Sequence, residues 1–243
     1  SWHAIFWCLA AYGIISLFTI HFGLEESHPA DPSKPLHPIS TLKNYFSLCR
    51  DRSFIGNVLA GGLAHSGLFA YIAGSPFVII ELWHIPAQVP ASQFGWIFGS
   101  NAFAYIAASQ INARLLRTHR TQDILRRAIW MPLIFGLLLL FAGATRIGGL
   151  PLLLIGLFGY MASLGFIGPN STANALAKQG HRAGLASALM GTLQFGLATL
   201  ASTAIGLLPA KSALPMTGMM ALCGISGLLL YRALVHESAP PLP

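Results

Sequence analysis

Seven apolar stretches constrain this chain more than any other feature, at residues 4–24, 54–80, 94–113, 128–145, 150–176, 185–208 and 214–235. Each is about 20 residues long, the length at which a helix crosses roughly 30 Å of hydrocarbon. They are continuous rather than alternating, so helices and not barrel strands must do the crossing. Charged residues make up 9% of the chain and hydrophobic ones 54%. A soluble domain carries about 25% charge. The expected fold class is therefore an all-α membrane protein with seven transmembrane helices.

The formal charge of +7 has a topological explanation. Lys34, Lys43, Arg50 and Arg52 lie between the first two stretches. Arg114, Arg117, Arg120, Arg126 and Arg127 surround the turn after the third. Lys178 and Arg182 follow the fifth, and Arg232 closes the seventh, whereas the alternate loops carry only Arg146 and Lys211. This is the positive-inside pattern. It predicts cytoplasmic basic turns, an extracytoplasmic N-terminus and a cytoplasmic C-terminus, and it removes the reason to invoke nucleic acid. Cys8, Cys49 and Cys223 read as packing residues rather than a disulfide framework. The first stretch lacks a basic leader and a small-residue cleavage site before Glu25. An odd span count and a chain opening at Ser1 read as a piece of a longer protein.

The longest polar segment begins Pro-rich, from Ser27 to Pro35, as an extended linker. After Pro38, Ser40 or Thr41 can cap a helix that sets Leu42, Tyr45, Phe46 and Cys49 on one face. That pattern predicts a short amphipathic helix lying on the cytoplasmic surface.

Polar groups within the stretches are informative, because hydrocarbon leaves them unsatisfied unless they face protein or water. His65 is the titratable side chain singled out at mid-span, for proton handling or for a bond to a neighbouring helix. Asn57, Asn101 and Asn112 are amides suited to interhelical bonding. Pro169 interrupts the fifth stretch and predicts a kink, with Asn170 and Asn174 sharing a face just after it. Such a face lines a cavity more readily than lipid. Gly184, Ala188, Gly191 and Gly196 suit close helix contact, and Gln194 is the side chain among them able to reach a ligand. Glu81 and Trp83 are expected at the outer interface. The scattered histidines lack metal-ligand spacing, and there is no phosphate loop or nucleophile motif. Lys178 and Lys211 sit at loops, which speaks against a retinal-binding bundle. No cofactor, metal site or enzymatic activity is expected.

Ser1-Trp2-His3-Ala4-Ile5-Phe6-Trp7 resembles the turn into the sixth helix of major facilitator superfamily drug:proton antiporters of the Bcr/CflA (bicyclomycin-resistance) type. Ser75 to Leu82 resembles the end of helix seven, and Phe94-Gly95-Trp96 the start of helix eight. Asn112 to Arg117 resembles the basic turn that follows, with Arg114 and Arg117 its cations. Asn170 to Ala177 resembles helix ten. Ala183 to Gly191 with Gln194-Phe195-Gly196 resembles helix eleven, and Leu214-Pro215-Met216 the start of helix twelve.

The resemblance implies a last helix of an absent N-terminal bundle at 1–24 and a cytoplasmic linker at 25–53. A C-terminal six-helix bundle would occupy 54–235, and a cytoplasmic tail 236–243. It further implies an inner-membrane antiporter, monomeric when full length, exchanging small amphiphilic drugs and protons by alternating access. The family's coupling acids would lie in the absent bundle and are not carried over. Helices seven, eight, ten and eleven wall the family's cavity, so Tyr71, Asn101, Asn170, Asn174, Gln194 and His65 are the candidate lining residues. The competing class is a non-transporting seven-helix receptor or scaffold subunit.

Overall fold

The computed structural model describes residues 2–24, 38–82, 91–208 and 212–235. The Pro-rich segment 27–35, Trp83, Lys211 and the tail 236–243 lie outside the described residues, as do the side chains of Ser40 and Thr41. Every described element is a helix: α1 (Trp2–Gly23), α2 (Pro38–Arg50), α3 (Arg52–Pro76), α4 (Ala91–Leu115), α5 (Thr121–Ala128), α6 (Trp130–Thr145), α7 (Gly149–Leu176), α8 (Ala183–Leu207) and α9 (Leu214–Leu234). A π-helical turn, Phe77–Leu82, prolongs α3 immediately after Pro76, whose ring nitrogen has no hydrogen to donate.

Six segments among the described residues are long and apolar enough to cross a bilayer: α1, α3 with its π-helical turn, α5 joined to α6, α7, α8 and α9. The chain is an all-α, multi-pass membrane protein. The remaining expected crossing, α4, has the length at 25 residues but falls outside that set. Its polar residues Ser100, Asn101, Ser109, Gln110 and Asn112 dilute the apolar run. The fourth apolar stretch begins earlier than the hydropathy implies. Residues 121–128 are already helical, because Ile124, Leu125 and Ala128 form a buried face against α7, while Arg126 and Arg127 fall on the last turn of α5.

The chain divides into two compact units, residues 1–41 and 42–243. The first is carried by α1, apolar all round, with no side chain buried within it. Such a helix is suited to lipid.

In the second unit α3 is central, packing against α7, α8 and α9, while α4 lies along α7 and α6 against α7 and α9. Lipid is as apolar as leucine, so burial alone gives these helices little reason to associate; close fit does. The α6–α9 crossing shows how. A Cβ on Gly136 would lie 2.9 Å from the Ala221 Cα, and one on Gly224 would lie 2.5 Å from the Pro132 carbonyl oxygen. Two backbones meet there without side chains between them. Tyr160, fully buried on α7, donates its hydroxyl to the Ala64 carbonyl on α3 at 3.2 Å. Near the α2–α3 turn, Leu48 of α2 is sealed against Phe54, Val58, Ala175 and Ala186, while Leu42, Phe46 and Cys49 stay exposed. Among the five apolar crossings of the second unit α8 is the least covered: of its most apolar 18 residues 17% are buried, against 50% in α3 with its π-helical turn.

Candidate functional site

Polar side chains from α3, α4, α7 and α8 form a series of levels through the second unit. Helix α3 runs from the end that carries the basic turns to the opposite end, and α7 runs back, so residues early in α3 meet residues late in α7. At the basic end, Asn170 of α7 is fully buried and donates Nδ2 to Asn112 Oδ1 on α4 at 2.7 Å and to the Phe166 carbonyl at 2.8 Å. One turn on, Asn174 accepts a hydrogen bond from the Thr121 hydroxyl at the start of α5 (2.6 Å). Asn170 and Asn174 share a helix face, yet the structure gives them different partners. Asn170 Oδ1 and Asn174 Nδ2 are buried with no hydrogen-bond partner among the described residues.

At mid-depth His65 is half-buried, and its Nδ1 lies 2.9 Å from the Gly61 carbonyl. A carbonyl only accepts, so Nδ1 carries the proton and Nε2 of the neutral ring is left as an acceptor. The ring meets Tyr105 of α4 edge-on, centroids 6.3 Å apart. Gly168 makes room for both: a methyl there would lie 2.9 Å from His65 Cε1 and 3.8 Å from the Tyr105 hydroxyl. Gln194 of α8, also half-buried, lies across Gly61 and Gly62, and Ser171 reaches the same place from α7. Towards the opposite end, Asn101 Nδ2 donates to the Tyr71 hydroxyl at 3.1 Å, and the Tyr71 ring stacks on Phe98 at 5.6 Å. Asn101 also borders a cavity of about 400 Å³ between α4, α6 and α7, with Phe135, Leu154 and Phe158.

The predicted residues thus gather on the expected helices but as three clusters. Tyr71 pairs with Asn101, His65 and Gln194 occupy the middle, and Asn170 and Asn174 tie α7 to α4 and α5. Helix α7 continues unbroken through Pro169. Arg114 and Arg117 frame the turn after α4, where the Arg117 N–H donates to the Arg114 carbonyl at 3.2 Å. Glu81 is exposed in the π-helical turn. Tyr105, Thr121 and Ser171 were not singled out from sequence. Tyr105 follows Asn101 by four residues and precedes Asn112 by seven, one helical face, and that spacing was the available signal.

No family model matches the chain. An uncharacterized MFS-type transporter of Bacillus subtilis strain 168, YdgK, is 34% identical over 237 residues, which is 98% of this chain and 58% of the relative. Over nearly its whole length the chain is therefore similar to an MFS-type transporter. A bicyclomycin resistance protein homolog of Haemophilus influenzae is 26% identical, again over 98% of this chain and 58% of the relative. The chain spans a little over half the length of these relatives. Neither relative's name is that of an enzyme.

The Asn112–Asn170 bond is a testable part of the bundle. Asn170→Leu is expected to lower stability by about 1–3 kcal/mol, because it strands the buried Asn112 amide. Adding Asn112→Leu should return part of the loss, a coupling of about 0.6–1.7 kcal/mol. Unfolding titrations of the two single variants and the double variant check this; strictly additive losses would show that the pair does not interact.

Proposed function

We propose that this chain supplies the second six-helix bundle of an inner-membrane efflux transporter that moves small amphiphilic drugs outward in exchange for protons. The basic turns face the cytoplasm in this reading, and two bundles rock about a shared central cavity. The observation that carries it is the coincidence of whole-chain similarity to a bicyclomycin resistance protein homolog with half-buried polar groups at mid-depth on α3 and α8. Covering helices fit the same reading. Positions Gly184, Gly191 and Gly196 on α8, and Gly95 and Gly99 on α4, have no other atom within 4 Å of where a Cβ would stand. Phe195 and Leu200 on α8, with Trp96 and Phe103 on α4, are exposed beside them. An open, small-residue face on these two helices suits a second bundle.

The partner groups refine which residues meet the substrate. Gln194 and His65 are half-buried beside the sparsely covered α8, whereas Tyr71 and Asn170 are sealed inside the bundle. Single cysteines at Tyr71, Asn101, Asn170, Asn174, Gln194 and His65, in a full-length protein whose Cys8, Cys49 and Cys223 have been replaced, test the assignment. Water-soluble thiol reagents should label Gln194→Cys and His65→Cys fastest and Asn170→Cys slowest, and drug should protect the first two. Failure to label any of the six in the presence or absence of drug would remove the cavity from these helices.

A further inference from the structure

We propose that the groove between α4, α6 and α7 binds a neutral, hydroxyl-bearing amphiphile that enters from the hydrocarbon of the bilayer. The groove holds about 400 Å³ and is walled by Ser100 and Asn101 of α4, Phe135 of α6, and Leu154, Ile155 and Phe158 of α7. Small-molecule sites have volumes of about 300–1,000 Å³. A side chain at Gly159 would run into the Phe135 ring, so the glycine lets that ring lie against α7 as part of the wall. Ile155 and Phe158 are 59% and 45% exposed, which leaves the groove open to the side.

The polar floor sets the chemistry of the ligand. Asn101 is 3% exposed, and its Nδ2 is committed to the Tyr71 hydroxyl. Its Oδ1 has no hydrogen-bond partner among the described residues. The sealed polar atoms without a partner there are Asn57 Oδ1, Ser75 Oγ, Asn170 Oδ1 and Asn174 Nδ2. Asn101 Oδ1 is not one of them, because it keeps access to the groove that Asn101 borders. Beside it the Ser100 hydroxyl donates to the Ile97 carbonyl at 2.8 Å, which leaves the Ser100 oxygen as a second acceptor. Acceptors left bare in hydrocarbon are costly, and a ligand hydroxyl relieves them. An ammonium would also donate, but it would carry its charge into the hydrocarbon.

Depth selects among lipophilic occupants. Asn101 lies ten residues after Ala91 at the start of α4, and Phe158 nine after Gly149 at the start of α7. Both helices start from the end opposite the basic turns. At about 1.5 Å per residue the groove stands about 15 Å in, the middle of roughly 30 Å of hydrocarbon. A phospholipid headgroup does not sit at that level, and an acyl chain brings no donor. A small alcohol or phenol dissolved in the bilayer brings an apolar body and a donor together. His65 and Gln194 meet elsewhere, between α3 and α8. The inference therefore stands whatever substrate the protein moves.

Photolabelling of the full chain in phosphatidylcholine nanodiscs tests the site. The probes are an octanol carrying a diazirine and its methyl ether, at equal concentration in the bilayer. The ether keeps the apolar body but cannot donate. Adducts should fall on the peptides that hold Phe135, Leu154 and Phe158, about fivefold more from the alcohol, the factor set by one hydrogen bond. Ile155→Trp fills the open side from an exposed position and should lower these adducts at least about threefold with folding unchanged. Asn101→Leu should bring the alcohol-to-ether ratio to about one. Because it also breaks the bond to Tyr71, Tyr71→Phe is its companion, which loses that bond but keeps the amide and should retain most of the preference. Equal labelling by alcohol and ether in the parent overturns the proposal, as do adducts undiminished in Ile155→Trp. Both readings hold even if Asn101→Leu does not fold. Equal loss of preference in Asn101→Leu and Tyr71→Phe overturns Asn101 as the acceptor.

Discussion

Leucine at Gly165 is expected to leave the second unit unable to close, giving aggregated rather than monodisperse protein on extraction. A Cβ at this position would lie 2.5 Å from the Tyr105 carbonyl oxygen, 2.7 Å from the Ser109 nitrogen and 2.8 Å from the Ala108 Cβ. Two of those atoms are α4 backbone and cannot rotate aside. The contact is flanked along α4 by Asn101, bonded to Tyr71 of α3, and by Asn112, bonded to Asn170 of α7. Any displacement of α4 therefore strains both polar links. Overpacking a tight site costs about 1–3 kcal/mol, so Gly165→Ala should fold with a loss in that range and the leucine variant should exceed it. The contrast is Gly191→Ala on α8, where nothing stands within 4 Å. There the better helix propensity of alanine should make the change neutral or stabilising by up to about 1 kcal/mol. Size-exclusion profiles and tryptophan-fluorescence melts decide. An alanine at Gly165 as stable as the parent would mean that α4 and α7 do not cross backbone to backbone.

That crossing shows what a sequence of this kind exposes and what it hides. Span positions are legible because twenty apolar residues in a row have few alternatives to a lipid-crossing helix. Helix α4 is harder to place, since the polar residues that give it a role also lower its apolarity. Asn101, Asn112 and Asn170 announce themselves as amides in apolar runs, which must find partners. Helical period then assigns each to a face but leaves open which residue opposes it. Asn170 and Asn174 share a face and still bond to different helices. Lipid and protein interior are equally apolar, so periodicity cannot tell which apolar stripe meets which. In α2 the stripe Leu42, Tyr45, Phe46 and Cys49 is clear in the sequence, yet Leu48 is the residue sealed against the bundle. Gln179 carried no signal and Arg182 counted only as a cation of a basic turn, since a polar turn has no period and their bonding roles depend on residues far away in the chain.

Those two residues belong to the link whose loss should be felt next most. Asp51 Oδ1 accepts hydrogen bonds from the backbone nitrogens of Ser53 and Phe54, at 3.0 and 3.1 Å, and so caps α3. Its Oδ2 accepts from Gln179 Nε2 at 2.9 Å. Gln179 Oε1 in turn accepts from Arg182 Nε at 2.8 Å, and an Arg182 Nη1 hydrogen is donated to the Ser47 hydroxyl at 3.2 Å. One carboxylate thereby joins the start of α3, the turn between α7 and α8, and α2. Asp51→Ala removes a cap worth about 0.5–2 kcal/mol. It also strands the Gln179 amide, which is buried, at about 1–3 kcal/mol. A combined loss of about 2–4 kcal/mol is expected. Asp51→Ser separates the two contributions, because a serine hydroxyl caps the helix but is too short to reach Gln179. Arg182→Ala leaves the cap and the Asp51–Gln179 bond in place and removes the bonds to Gln179 Oε1 and to the Ser47 hydroxyl. If the polar link holds α2 down, trypsin should cleave after Lys43 and Arg50 faster in Asp51→Ala and Arg182→Ala than in the parent. Equal protection in all three would mean that the apolar seat of Leu48 suffices to dock α2, and that Asp51 serves the start of α3 alone.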